Sequence, residues 1–165
     1  MWSYYFVRRQ MIGLVKVKES FYDLCKQNSV DEELLFNECG RPCVLLVRLR
    51  YKGKKMDFVV PLRSNISAKT PVNQYFPLPP NPKTKPNHKH GLHYYKLFPI
   101  DRKYIDSYQV AGDTYYTGLL QIINRKEPEI VQACQEYLKL CEQGKKHFIT
   151  PNLDGIISVL ESMEM

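Results

Sequence analysis

The alternation of apolar and polar positions divides the chain into a strand-like first part and a helical last part. WSYYFVRRQMIGLVKVK is dense in aromatic and β-branched residues and predicts one or two strands. SFYDLCKQN places Phe21, Leu24 and Cys25 at helical spacing, and VDEELLF, with acids in its opening turn, predicts a second short helix. CVLLVRLRYKG and KKMDFVVPL are two strand-like runs joined at Lys52-Gly53, a pair suited to a tight hairpin turn. LHYYKLFPI and YIDSYQV follow as further strands.

From Asp113 the period lengthens to that of a helix. Asp113 is placed to cap a helix through TYYTGLLQIINRK. PEIVQACQEYLKLCEQG opens with proline in its first turn and closes at Gly144, with Ile130, Ala133, Cys134, Tyr137, Leu138 and Cys141 as its buried stripe. NLDGIISVLESM predicts the last helix. Strands followed by helices imply an α+β fold, a curved antiparallel sheet or small barrel with helices on one side. Residues 65–91 interrupt this order. They hold six of the eleven prolines and no acid, and predict a long, basic surface loop.

At 165 residues and 44% hydrophobic content, the expectation is a single domain, residues 1–165, with an ordinary core. MIGLVKV and CVLLVRLR are both broken by charges, so no membrane span is expected. Five cysteines, Cys25, Cys39, Cys43, Cys134 and Cys141, form no CxxC pair and follow no leader-like start. They read as reduced, mostly buried thiols of a cytoplasmic protein.

The distribution of charge adds more than its total of +7. Between Glu38 and Asp101 a single acid, Asp57, stands among twelve bases, and acids are in excess elsewhere. Segregation of this kind points to a face held against a polyanion, with nucleic acid favoured over membrane because the bases fall on strands and a loop. The candidate RNA contacts are Arg48, Arg50, Lys52, Lys54, Lys55, Lys83, Lys85, Lys89 and Lys96, with Tyr94 or Tyr95 as a base-stacking surface.

Within this tract DFVVPLRSNISAK ends a strand on Arg63-Ser64, with Lys69 beyond. Hairpin pairing through Lys52-Gly53 sets the low forties opposite the low sixties, which would bring Arg41 near Ser64. A hydroxyl among guanidinium and ammonium groups suits a phosphodiester: arginine forks onto phosphate oxygens, lysine adds a point charge, and serine orients the phosphate or relays a proton. NHKHGLHYY holds three of the four histidines, His88, His90 and His93. The surrounding lysines and the absence of nearby carboxylates disfavour a metal there, and His93 is the acid-base or RNA-contact candidate. No metal or other cofactor is expected. Phosphate-binding glycine loops and the G-x-S-x-G elbow are absent from the sequence.

The ordered series GRPCVLLVRL, a glycine turn, FVVPLRS, KLFPI and LKLCEQGKKHF before a final helix resembles the ToxN/AbiQ family, the toxins of type III toxin-antitoxin systems. The resemblance implies a fold similar to the MazF/Kid toxins with added helices. It also implies metal-independent endoribonuclease activity that leaves 2′,3′-cyclic phosphate and 5′-hydroxyl ends. It further implies cellular mRNA substrates and inhibition by an RNA pseudoknot cut from a repeat transcript, in a closed protein-RNA assembly. The family's serine falls on Ser64, its strand-opening basic residue on Arg41 and its downstream lysine on Lys69. Arg63 stands where relatives often carry a small hydroxyl, Ile66 replaces a lysine, and Phe36 is nearest to a family tyrosine. The roles are therefore expected to be shared among Arg63, Lys69 and His93. The alternative is a non-catalytic basic RNA-binding module, and a further one a polyproline-mediated adaptor.

Overall fold

The computed structural model describes residues 11–34, 44–80, 82, 84–107 and 112–164. Their seven strands are β1 (Met11–Val17), β2 (Val44–Tyr51), β3 (Lys54–Ser67), β4 (Phe76–Leu78), β5 (His88–Leu92), β6 (Phe98–Pro99) and β7 (Ile105–Ser107). Their four α-helices are α1 (Glu19–Gln27), α2 (Thr114–Arg125), α3 (Glu127–Glu142) and α4 (Leu153–Ser162). The pairings are antiparallel and the sheet is open, in the order β4-β5-β3-β2-β1-β7, with β6 also on β3. The α+β class and the C-terminal weighting of the helices are as the sequence leads one to expect.

Strand β3 organises the sheet. Its first half pairs with β2 from Tyr51↔Lys54 to Val44↔Pro61, closed by a turn with Lys52 at φ 52° and Gly53 at φ 79°. Two consecutive left-handed residues match the twist of a two-residue hairpin. On its other edge β3 meets β6 at Phe58 and Val59, then β5 from Leu62 onward. Pro61 sits where that edge changes partner. Its carbonyl accepts from the His93 backbone N–H at 2.9 Å. A residue's N and C=O point to the same side of a strand, so the missing N–H of Pro61 faces this junction and not the β2 ladder.

Alternation along the strands feeds two cores. Leu45, Val47, Leu49, Phe58, Val60 and Leu62 pack beneath α2 and α3, together with Ile123, Ile130, Cys134 and Leu138. Leu46 and Val59 point the other way, where Phe21, Tyr22 and Cys25 of α1 cover them. Helices therefore lie on both faces, not on one as expected. Leu46 and Val59 would otherwise expose apolar surface at about 25 cal/mol per Å². Helix α4 spans the two cores through Leu153 and Ile156.

Two further expectations change. The 65–91 segment is not one structureless loop, because β3 runs to Ser67 and both β4 and part of β5 lie within it. Backbone pairing with β3 builds these strands, and Pro77 is tolerated because β4 is the sheet edge. The described part of VDEELLF is a turn and not a helix, with Glu33 at φ 67°. Residues 1–10, part of the first predicted strand, lie outside the described residues. LHYYKLFPI breaks into the end of β5, a 3-10 turn at Tyr94–Lys96 and β6.

Cys25, Cys134 and Cys141 are buried free thiols, and burial pushes Cys25 and Cys134 up to about 12. Cys39 and Cys43 lie outside the described residues. No helix among the described residues is long and apolar enough to cross a membrane.

Candidate functional site

The β3–β5 ladder shifts register between Arg63, opposite Gly91, and Ile66, opposite Lys89. Ser64 and Asn65 therefore face a single residue, His90. A β-bulge of this kind bends the strand and re-aims the side chains it carries, and Ser64 is one of them. The bulge is held on both flanks. Ile66 is fully buried, and the Asn65 side-chain oxygen accepts the Lys85 N–H at 2.8 Å, fastening the 84–87 segment to it.

Arg63 is half-buried and its guanidinium donates to Nδ1 of His93 at 3.0 Å. Since Nδ1 is the acceptor, a neutral His93 carries its proton on Nε2. That nitrogen is buried without a hydrogen-bond partner among the described residues. Burial first, then the charges of Arg63, Lys96 and His147, lower the His93 pKa to about 4. His93 is therefore neutral at neutral pH and accepts from Arg63. Burial also lowers the Arg63 pKa, yet a guanidinium stays charged.

Across the bulge His90 adopts the opposite tautomer. Its Nδ1 lies 2.7 Å from the Pro79 carbonyl, which can only accept, so Nδ1 holds the proton. Tyr115 Oη lies 2.9 Å from the same nitrogen and donates to the Pro79 carbonyl at 3.2 Å. His90 thus ties β5 to β4 and α2, a structural role that its place in a histidine-rich motif did not reveal.

The other cations of the tract sort by partner. Arg48 pairs with buried Asp57 at 3.1 Å, and Arg102 reaches the same carboxylate at 3.0 Å. Both arginines line a cleft of about 420 Å³ with Met56, Ile100 and Leu160. It lies at the far end of β3 from Ser64, and Asp57 offsets its charge. Arg50 donates to the Gly53 carbonyl, Lys52 pairs with Asp154 at 3.1 Å, and Lys54 approaches Glu161 at 3.9 Å. The hairpin tip is thus occupied in docking against α4.

Lys96, expected at an RNA face, is buried against Glu33 at 2.6 Å. Tyr94, expected to stack on bases, is 6% exposed and belongs to the core. Tyr95 is half-buried against the same core and stacks on Tyr137 at 3.9 Å. Lys55, Lys69, Lys85 and Lys89 are exposed. Lys69 lies in the turn after β3, its N–H bonded to the Ser67 hydroxyl. Arg41 and Lys83 lie outside the described residues.

Among the described residues no acid pairs with Arg63. A half-buried guanidinium held by a neutral histidine, beside a serine-bearing bulge, is a positionally fixed positive charge.

Comparison with known proteins places this architecture. No protein-family profile matches the chain, and no curated protein matches it. Several chains of solved structures share its fold, among them two described with a non-coding RNA. One, described as a processed non-coding RNA regulating a bacterial antiviral system, is similar with TM-score 0.67 and 16% identity, over 89% of this chain and 96% of its own. The other is described as a bacterial type III toxin-antitoxin system with selective toxin inhibition by a non-coding RNA pseudoknot. It is similar with TM-score 0.68 and 13% identity, over 92% and 96%. The likeness to a ToxN/AbiQ type III toxin carried by the sequence motifs thus holds at the level of the fold.

Proposed function

We propose that this chain is the toxin of a type III toxin-antitoxin pair, an endoribonuclease silenced by an RNA pseudoknot that it excises from its own repeat transcript. On this reading the open sheet with its helices is an elaborated MazF/Kid architecture. The observation that carries the proposal is the guanidinium of Arg63, without an acid partner among the described residues, held by His93 and adjoining Ser64 on the bulge. The two fold neighbours, both described with a non-coding RNA, support RNA as the anion.

In the reaction the ribose 2′-oxygen attacks the adjacent phosphorus in line and the bond to the 5′-oxygen breaks. This leaves a 2′,3′-cyclic phosphate and, after protonation, a 5′-hydroxyl. Arg63 takes the charge that builds on the non-bridging oxygens, with Arg41 and Lys69 as further cations. Ser64 orients the phosphate or relays the proton. Lys55, Lys85 and Lys89 contact the RNA backbone. No divalent ion is required by these roles, so cleavage should persist in EDTA.

The test is incubation of the protein with a repeat-containing transcript and analysis of the new ends. Wild-type protein should leave cyclic phosphates, and Ser64→Ala should leave the transcript intact while still binding it. Equal cutting by Ser64→Ala would sink the assignment. The non-catalytic RNA-binding module is the competing reading, favoured by one observation: His93, at about 4, is not poised for proton transfer near neutrality. It predicts intact RNA with wild-type protein after long incubation.

A further inference from the structure

Helix α3 ends in a Schellman motif, with Lys145 N–H on the Leu140 carbonyl at 2.9 Å and Gly144 N–H on that of Cys141 at 3.1 Å. The chain then runs Lys145-Lys146-His147-Phe148. This segment is a built structure. His147 N–H donates to Tyr137 Oη at 3.0 Å, Ile149 N–H to His147 Nδ1 at 3.3 Å, and Thr150 N–H to the His147 carbonyl at 3.1 Å.

The Phe148 ring nevertheless stands 81% exposed. Beneath it the rings continue inward: Phe148 on His147 at 4.5 Å and 28°, His147 against Tyr95 at 5.6 Å, and Tyr95 on Tyr137 at 3.9 Å and 14°. The ladder ends in the core at Tyr137. Tyr95 stands two residues from His93, in the 3-10 turn that follows β5.

A lone exposed phenylalanine is unremarkable. One fixed at the end of a ring ladder and preceded by two lysines has the chemistry of a base-stacking platform. Lys145 is exposed, and Lys146 is turned back by its ammonium onto the Thr150 and Pro151 carbonyls. We propose that Phe148 stacks on an unpaired nucleobase of the bound RNA, with Lys145 on the neighbouring phosphate. Phe148 is then a specificity-determining residue. The inference rests on the RNA reading above and adds where a base is gripped.

The experiment is titration of the protein with a fluorescent, fully 2′-O-methylated single strand of about 12 nucleotides, which binds without being cut. Replacing one ring by alanine should weaken binding about tenfold, while Phe148→Trp keeps the affinity. Phe148→Ala should leave the salt dependence of binding unchanged, whereas Lys145→Ala should lower its slope by about one phosphate contact. Exposure of the ring predicts an unaltered melting temperature for Phe148→Ala, separating lost stacking from lost fold. Wild-type affinity in Phe148→Ala overturns the platform alone. A wild-type protein that binds neither this strand nor the repeat transcript overturns the platform and the RNA reading together.

Discussion

Arg63 and His93 lie thirty positions apart in sequence, yet the guanidinium of one is fixed by the ring nitrogen of the other at 3.0 Å. The bond runs from β3 to the residue just after β5, across the point where Pro61 accepts from the His93 backbone. Backbone and side chain of His93 thus act on Pro61 and Arg63, two positions apart on the same strand. What reaches the bulge is an arginine with little freedom, which is the condition for a donor to favour a transition state over a ground state.

The first prediction follows from that fixation. Arg63→Ala should lower RNA cleavage by about 10² to 10³-fold, the usual effect of losing one charge-stabilising donor. His93→Leu removes the acceptor and should lower kcat with little change in KM. His93→Gln, whose carbonyl can still accept from Arg63, should retain most activity. Single-turnover rates on the repeat transcript check all three. A His93→Gln enzyme as impaired as His93→Leu would show that His93 does more than hold the arginine.

A second prediction concerns acid. The folded pKa of His93 lies at about 4, below the unfolded value near 6.5, and that of His90 is lowered too, chiefly by burial. Both rings are neutral in either state above about pH 7, so stability there is insensitive to them. As pH falls from about 6.5 towards 4 the unfolded chain gains protons that the folded chain refuses, and stability drops by up to about 3 kcal/mol from His93. Arg63, Lys96 and His147 all oppose its protonation from the folded side. Urea unfolding at several pH values should show this decline, and His93→Leu should flatten it.

Much of the scaffold was legible where local pattern and local geometry coincide. Lys52-Gly53 between two apolar runs, Asp113 as a cap on Tyr116 N–H and Gly144 closing α3 are set by neighbours in sequence. The site was legible only in its ingredients. Ser64 and Arg63 could be named, but the bulge depends on β5, a strand whose polar HKHGL gives no periodic signal. Lys96 read as a surface cation because Glu33, its buried partner, lies sixty-three positions away. Tyr94 went into the core where a 3-10 turn replaced the expected strand. Long-range pairing decided each of these, and composition carries no record of it.

The edge hairpin yields a third prediction. Gly91 pairs with both Arg63 and Pro77, and a Cβ added there would lie 2.4 Å from the Phe76 carbonyl oxygen. Only backbone movement of β4 would relieve it. Gly91→Ala should therefore destabilise the fold by about 1–3 kcal/mol, the range for forced overpacking. It should also loosen the bulge opposite, so cleavage should fall further than the unfolded fraction explains. Comparing activity with the folded fraction measured by circular dichroism separates the two effects.

The last prediction concerns Asp57, the one acid in the basic tract. Its side chain is nearly inaccessible and holds Arg48 at 3.1 Å and Arg102 at 3.0 Å, while its backbone carbonyl accepts from Ile100. The arginines remain roughly half-exposed, so water screens part of what they would lose, and the exposed-pair value is the proper floor. The carboxylate itself is desolvated, and Asp57→Asn leaves it neutral with one oxygen for two guanidiniums. Destabilisation of about 1–3 kcal/mol is expected, from lost charge-assisted bonds. The released arginines should at the same time become available to polyanions. Nonspecific RNA binding should tighten at low salt while the cleavage rate per folded molecule stays unchanged, because the cleft lies at the opposite end of β3 from Ser64. Filter binding across a salt series, paired with urea unfolding, checks both signs. Weaker RNA binding at every salt concentration would mean that the arginines need Asp57 in order to meet RNA.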